Sequence, residues 1–120
     1  MEALIYISLI VNVAVLTPIL IFMARNSPRV VFAWGDFTPA RGILMSIYFA
    51  IFVASALLLI RPVPAFVFVV LLLQVMYKVT TPLTVRSPKN PIVLSNLAIS
   101  VLHVATLVSI YPAIESLITA

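Results

Sequence analysis

His103 is the only histidine in a chain of 120 residues that has no cysteine and only three acids, Glu2, Asp36 and Glu115. This inventory limits the available chemistry. Without cysteine there are no thiol nucleophiles, disulfides, thiolate metal sites or iron–sulfur clusters. A bis-histidine haem b needs two imidazoles, so His103 could hold a haem only as a lone axial ligand or with a histidine from another chain. No other metal site is expected. No acid–His–Ser set and no Gly-x-Ser-x-Gly elbow can be assembled, and two glycines leave no phosphate-binding loop. The reading leans against an enzyme and assigns no catalytic residue. If the chain were one, His103 acting as general base on a lipid-soluble substrate is what remains. Proton-coupled transport is poorly equipped too, because no acid falls within an apolar run.

Asn96, Ser100 and His103 recur at helical spacing and share one narrow stripe, bordered by Thr106. Polar groups inside an apolar run are expensive, so this stripe should face a bundle interior. At ~1.5 Å per residue, Asn12 and His103 lie roughly 13–17 Å from one end of their runs. Gln74 and Tyr48 come out at about the same level. Asn12, Tyr48, Gln74 and His103 are therefore expected to form a polar constellation near the bilayer midplane, continued by Asn96 and Ser100. Three readings of it stay open. It could be interhelical glue, with hydrogen bonds worth about 0.6 kcal/mol each. It could bind a small ligand such as a quinone headgroup or a lipid-like molecule. Or His103 could be a haem ligand or proton carrier. The sequence itself demands no cofactor.

The elements that would position these residues follow from composition. The chain is 64% hydrophobic and 8% charged, against about 25% charged residues in soluble domains, so most of its surface should face lipid. Crossing a hydrocarbon core takes about 20 apolar residues. Four runs fit: 3–23, 42–60, 63–80 and 92–114. The expected fold is all-α, a four-helix transmembrane bundle forming a single domain over 1–120. A buried hairpin of the second and third runs that does not cross is the alternative. The first run reads as a retained span rather than a cleaved signal, because no cationic n-region precedes it. Pro18 should kink or loosen that helix. Thr38-Pro39 and Asn90-Pro91 look like capped helix starts. The short link from Arg61 to Pro64 predicts an antiparallel hairpin of the second and third helices. The third run reaches full length only through Lys78, whose side chain is expected to snorkel to the headgroups, with Pro82 as the stop. Ala50, Ala54 and Ser55 mark the second helix as the close-packing surface.

Orientation follows from the cations. Arg25, Arg29 and Arg41 lie in the loop 24–41, Arg86 and Lys89 lie in the loop 81–91 with Lys78 just before it, and only Arg61 lies on the opposite side. The excess of basic residues in cytoplasmic loops predicts an N-out/C-out topology, in a bacterial inner membrane. The net charge of +4 is thus explained by topology, and no nucleic-acid partner is implied. Within the first loop, residues 30–34 are apolar and should lie in the headgroup zone with Trp34 as an anchor, or else serve as a lid or docking surface. Asn26-Ser27-Pro28-Arg29 and Arg86-Ser87-Pro88-Lys89 faintly echo each other, as two parallel hairpins would.

In length and span count the chain resembles the small multidrug resistance transporters. That family carries a glutamate in its first span, where this chain has Asn12, and glycine-rich later spans that are absent here, so the resemblance assigns neither family nor mechanism. Two functional expectations follow. One is a non-catalytic accessory subunit of a larger membrane complex. The other is a self-standing homo-oligomeric carrier or binding protein for a small lipid-like or quinone-like ligand. The expected partners are the bilayer, and either larger subunits or further copies of the chain.

Overall fold

The computed structural model describes residues 1–87 and 89–118. They form five helices: α1 (Glu2–Ala24), α2 (Pro28–Trp34), α3 (Pro39–Ile60), α4 (Pro64–Val85) and α5 (Pro91–Ile118). All but α2 are long and apolar enough to cross a bilayer. Each begins earlier or ends later than its apolar run, because capping groups lie outside it. The Thr38 hydroxyl accepts the Arg41 N–H at 3.3 Å, and Asn90 Oδ1 accepts the Ile92 N–H at 2.8 Å. Both expected cap-plus-proline starts are therefore real. α1 runs through Pro18 as one helix.

Pro82 does not stop α4, which continues to Val85. A proline inside a helix has no N–H for the carbonyl four residues earlier, here that of Lys78. The Thr81 hydroxyl donates to that carbonyl at 2.7 Å, so the group that proline would orphan is satisfied from the next side chain. Thr80 does the same for the turn before, donating to the Tyr77 carbonyl at 2.8 Å.

α2 fills much of the first basic loop and is tied at both corners. Asn26 and Gly35 turn the chain with φ of 51° and 88°, and the buried Arg41 guanidinium bridges them. It donates to Asn26 Oδ1 at 2.6 Å and to the Gly35 carbonyl at 2.9 Å. Asn90 Nδ2 donates to the Ala33 carbonyl at 2.9 Å, which fastens α2 to the start of α5. Arg41 is thus a clamp rather than a free loop cation. Trp34 is held as well. Its indole turns towards the bundle and donates to Tyr48 Oη at 3.4 Å, with the rings edge-on. Phe32 and Phe37 are the aromatics that α2 and its C-terminal turn expose.

The four long helices form a ring in the order α1, α3, α4, α5, with close packing of α1 on α3 and of α4 on α5. The expected hairpin of α3 with α4 is not a packed one. Though joined through residues 61–63, the two helices touch little. Ala50 and Ala54 accordingly line a groove between them instead of a close contact, and only Ser55 is packed. An apolar cluster fills each end of the ring. Ile5, Leu9, Leu58, Val67, Leu71, Leu107, Ile110 and Ile114 form one, and Leu16, Met23, Val30 and Tyr48 form the other, under α2. The buried polar residues lie largely between them.

Thr81→Val should lower the stability of the protein in detergent by about 1 kcal/mol. In a Pro82→Ala background most of that loss should disappear, because the new N–H takes over the Lys78 carbonyl. Heat unfolding of the two single variants and the double variant measures the difference; equal losses in both backgrounds would refute the account.

Candidate functional site

The inward face of α4 is set by Val67, Leu71, Gln74 and Lys78, which follow each other at helical spacing and are all buried. Lys78 is only 6% exposed, and its Nζ donates to Gln74 Oε1 at 3.4 Å. The expected snorkelling to the headgroups is therefore overturned. Lys78 sits one turn beyond Gln74 on the same face, so its stem enters the bundle about 10 Å short of the end of α4. The Tyr77 ring lies 5.9 Å from the ammonium.

The other helices bring their polar groups to this interior by the same periodicity. Asn12 Nδ2 donates to Ser55 Oγ at 3.0 Å across α1 and α3. Across α1 and α5, the Ser8 and Thr106 hydroxyls share a hydrogen bond of 2.6 Å. On α5 the Ser100 hydroxyl is satisfied within the helix, donating to the Asn96 carbonyl at 2.7 Å.

Asn12, Tyr48, Gln74, Tyr77, Lys78 and Asn96 line a central cavity of about 30 Å³, together with apolar side chains of α1 and α5. That is room for one or two water-sized groups. Two larger spaces adjoin it. A chamber of about 220 Å³ lies towards α2, bounded by Trp34, Tyr48, Tyr77, Asn90 and Asn96. A groove of about 300 Å³ opens sideways between α3 and α4, walled by Ile47, Ala50, Ala54, Val70 and Leu73. Gln74 borders both the groove and the central cavity, and Tyr77 borders all three spaces.

Of the residues singled out from sequence, the structure brings Asn12, Tyr48, Gln74 and Asn96 together around one cavity. Ser100 and His103 are buried on the same stripe of α5 but line none of these spaces. His103 is 0% exposed. The Ser8 backbone lies beside its ring, yet neither nitrogen reaches hydrogen-bonding geometry with a described residue. Gln74 Nε2 is likewise buried without a partner. Among the described residues no group of three or more His, Asp or Glu could hold a metal ion. Sequence reasoning missed Lys78 and Tyr77 as members of this interior, and it marked Ser55 for close packing without its bond to Asn12. The signal for Lys78 was present, since it lies four residues from Gln74, whereas nothing in the sequence pairs Asn12 with Ser55.

No protein-family model, no curated protein and no solved structure gives a significant match to this chain. Its function has to be argued from the interior just described.

Asn12→Leu breaks the bond to Ser55 and should lower stability by about 0.6–1.7 kcal/mol. His103→Leu removes no protein hydrogen bond and should be neutral or raise the melting temperature. Heat unfolding of both variants in one detergent checks the order. The reverse order would mean that the His103 nitrogens serve a group other than the side chains around them.

Proposed function

We propose that this chain is a membrane-embedded binding protein for a small amphiphilic molecule, held between α1, α3, α4 and α5. Lys78 carries this reading. Burying an ammonium is costly unless it is paired, and ionisable residues inside membrane spans mark functional sites by default. Lys78 makes one long hydrogen bond and borders a cavity that no carboxylate among the described residues lines. Asn12–Ser55 and Ser8–Thr106 are well-formed pairs that suffice as glue between helices. Lys78 is poor glue, and its placement makes better sense as a contact for something that enters. Of the two functional expectations, the binding protein is therefore favoured over the accessory subunit.

In this reading the end carrying α2 faces the cytoplasm, because Arg25, Arg29, Arg41, Arg86 and Lys89 gather there. Both termini then lie outside, and a bacterial inner membrane is the setting this charge pattern suits.

Purification of the tagged protein in mild detergent, followed by native mass spectrometry, tests the proposal. The expected result is the chain alone or as a homo-oligomer, with a small molecule retained stoichiometrically and lost on Asn96→Phe, which fills the cavity. Stoichiometric larger subunits with no retained small molecule would overturn it in favour of an accessory subunit.

A further inference from the structure

We infer that the ligand is a single-chain lipid carboxylate, a long-chain fatty acid, whose carboxylate meets Lys78 and whose hydrocarbon chain leaves through the groove between α3 and α4. The inference rests on the binding reading above and names the chemistry of the occupant.

The side chains at Lys78 carry donors that they do not spend on one another. An ammonium has three N–H donors, and Lys78 spends one of them on Gln74 Oε1 at 3.4 Å. Gln74 Nε2 is a further donor, 1% exposed and without a partner, on a side chain that borders the cavity. Tyr48 accepts from Trp34 through its oxygen, which leaves its own proton to give. Donors that converge on one small space, with a positive charge among them, select an anion with several lone pairs. The acids of the chain do not supply it. Glu2 and Glu115 lie towards the ends of their helices away from α2, Asp36 lies in the turn after α2, and none of the three lines the cavity.

A cavity of about 30 Å³ admits a carboxylate, which is little larger than a pair of waters. A phosphodiester headgroup or a quinone ring is too large for it without repacking.

The groove beside the cavity is walled almost wholly by apolar groups, and Ala50 and Ala54 hollow its α3 side. Gln74 and Tyr77 stand where groove and cavity meet. From Tyr77 to Val70 the groove follows α4 for about 10 Å, away from the α2 end. A ligand whose carboxylate lies at Lys78 would thus run its chain along this groove towards the middle of the bilayer. An anionic head in a donor-lined cavity and an apolar tail in a lipid-facing groove describe one amphiphile with one chain. A diacyl lipid would have to bring a second chain through the same seam.

The test uses the full chain in maltoside micelles, equilibrated separately with isotope-labelled oleate, oleyl alcohol and dioleoylphosphatidylglycerol, with retention read by native mass spectrometry. The expected result is about one oleate per chain, retained about tenfold or more over oleyl alcohol. Lys78→Gln should abolish that preference. Ala54→Phe, which blocks the groove without touching the polar residues, should weaken retention of both single-chain probes. Equal retention of oleate and oleyl alcohol, an unchanged preference in Lys78→Gln, or stronger retention of the diacyl lipid would each overturn the fatty-acid assignment. Stoichiometric oleyl alcohol without oleate would refute the carboxylate and leave the binding reading standing. Retention of no probe, in a preparation that holds stoichiometric larger subunits, would remove both.

Discussion

A lipid interior offers no hydrogen bonds, and every polar group carried into it must find a partner within the protein. Four long helices meet that requirement for the backbone, and several side chains meet it in pairs, whereas the His103 nitrogens and Gln74 Nε2 do not. Asn12 reaches Ser55 and Ser8 reaches Thr106, each across a helix boundary. Thr81 turns back on the turn that Pro82 would have broken. The outward-facing residues of all four long helices are mostly large and apolar. The interior therefore holds the polarity, the reverse of what a soluble domain would do, and the two apolar clusters close it off at either end.

Against this background of well-made pairs, the α3–α4 seam and Lys78 stand apart, and they are neighbours. Close helix packing needs the ridges of one helix to enter the grooves of the other. α3 commits its packed face to α1, and α4 commits its own to α5. What α3 presents towards α4 includes Ala50 and Ala54, whose side chains are too short to bridge the remaining distance. The result is an open flank beside Gln74 and Tyr77, next to the buried Lys78. Loose packing and uncompensated charge each weaken a fold, and their meeting at Gln74 and Tyr77 gives the interior a way to the lipid.

Much of this architecture could be read from the chain. Apolar run length gave the four helices, and Thr38-Pro39 and Asn90-Pro91 gave two of their starts, because a capping oxygen followed by proline is a local signal. The stripe of Asn96, Ser100 and His103 was visible because helical periodicity fixes which residues share a face. The failures have a common physical origin. Hydropathy reports how deep a residue sits but not which way it points around the helix axis, so Lys78 was assigned to the headgroups when its register with Gln74 aims it inward. The cost of Pro82 depended on a single hydroxyl at Thr81. A three-residue link between α3 and α4 constrained their ends and not their faces. The short helix α2 is held by Arg41, Asn26 and Asn90, a set of contacts between residues far apart in sequence that no local pattern announces.

The distribution of the polar pairs bears on how the molecule is made. Asn12–Ser55 lies within α1 and α3, Lys78–Gln74 within α4, and Ser100–Asn96 within α5. Ser8–Thr106, the Thr106 hydroxyl on the Leu4 carbonyl and the Asn90–Ala33 tie reach from the first half of the chain to the last helix and its start. Synthesis delivers α1, α2 and α3 before α4 and α5. That segment can enter the bilayer with its most demanding amide already matched and its corner helix already clamped by Arg41. α4 follows carrying its own internal pair. The bonds that hold the two halves together become possible only when α5 emerges, so the vectorial order of translation is also the order in which the interior becomes satisfied.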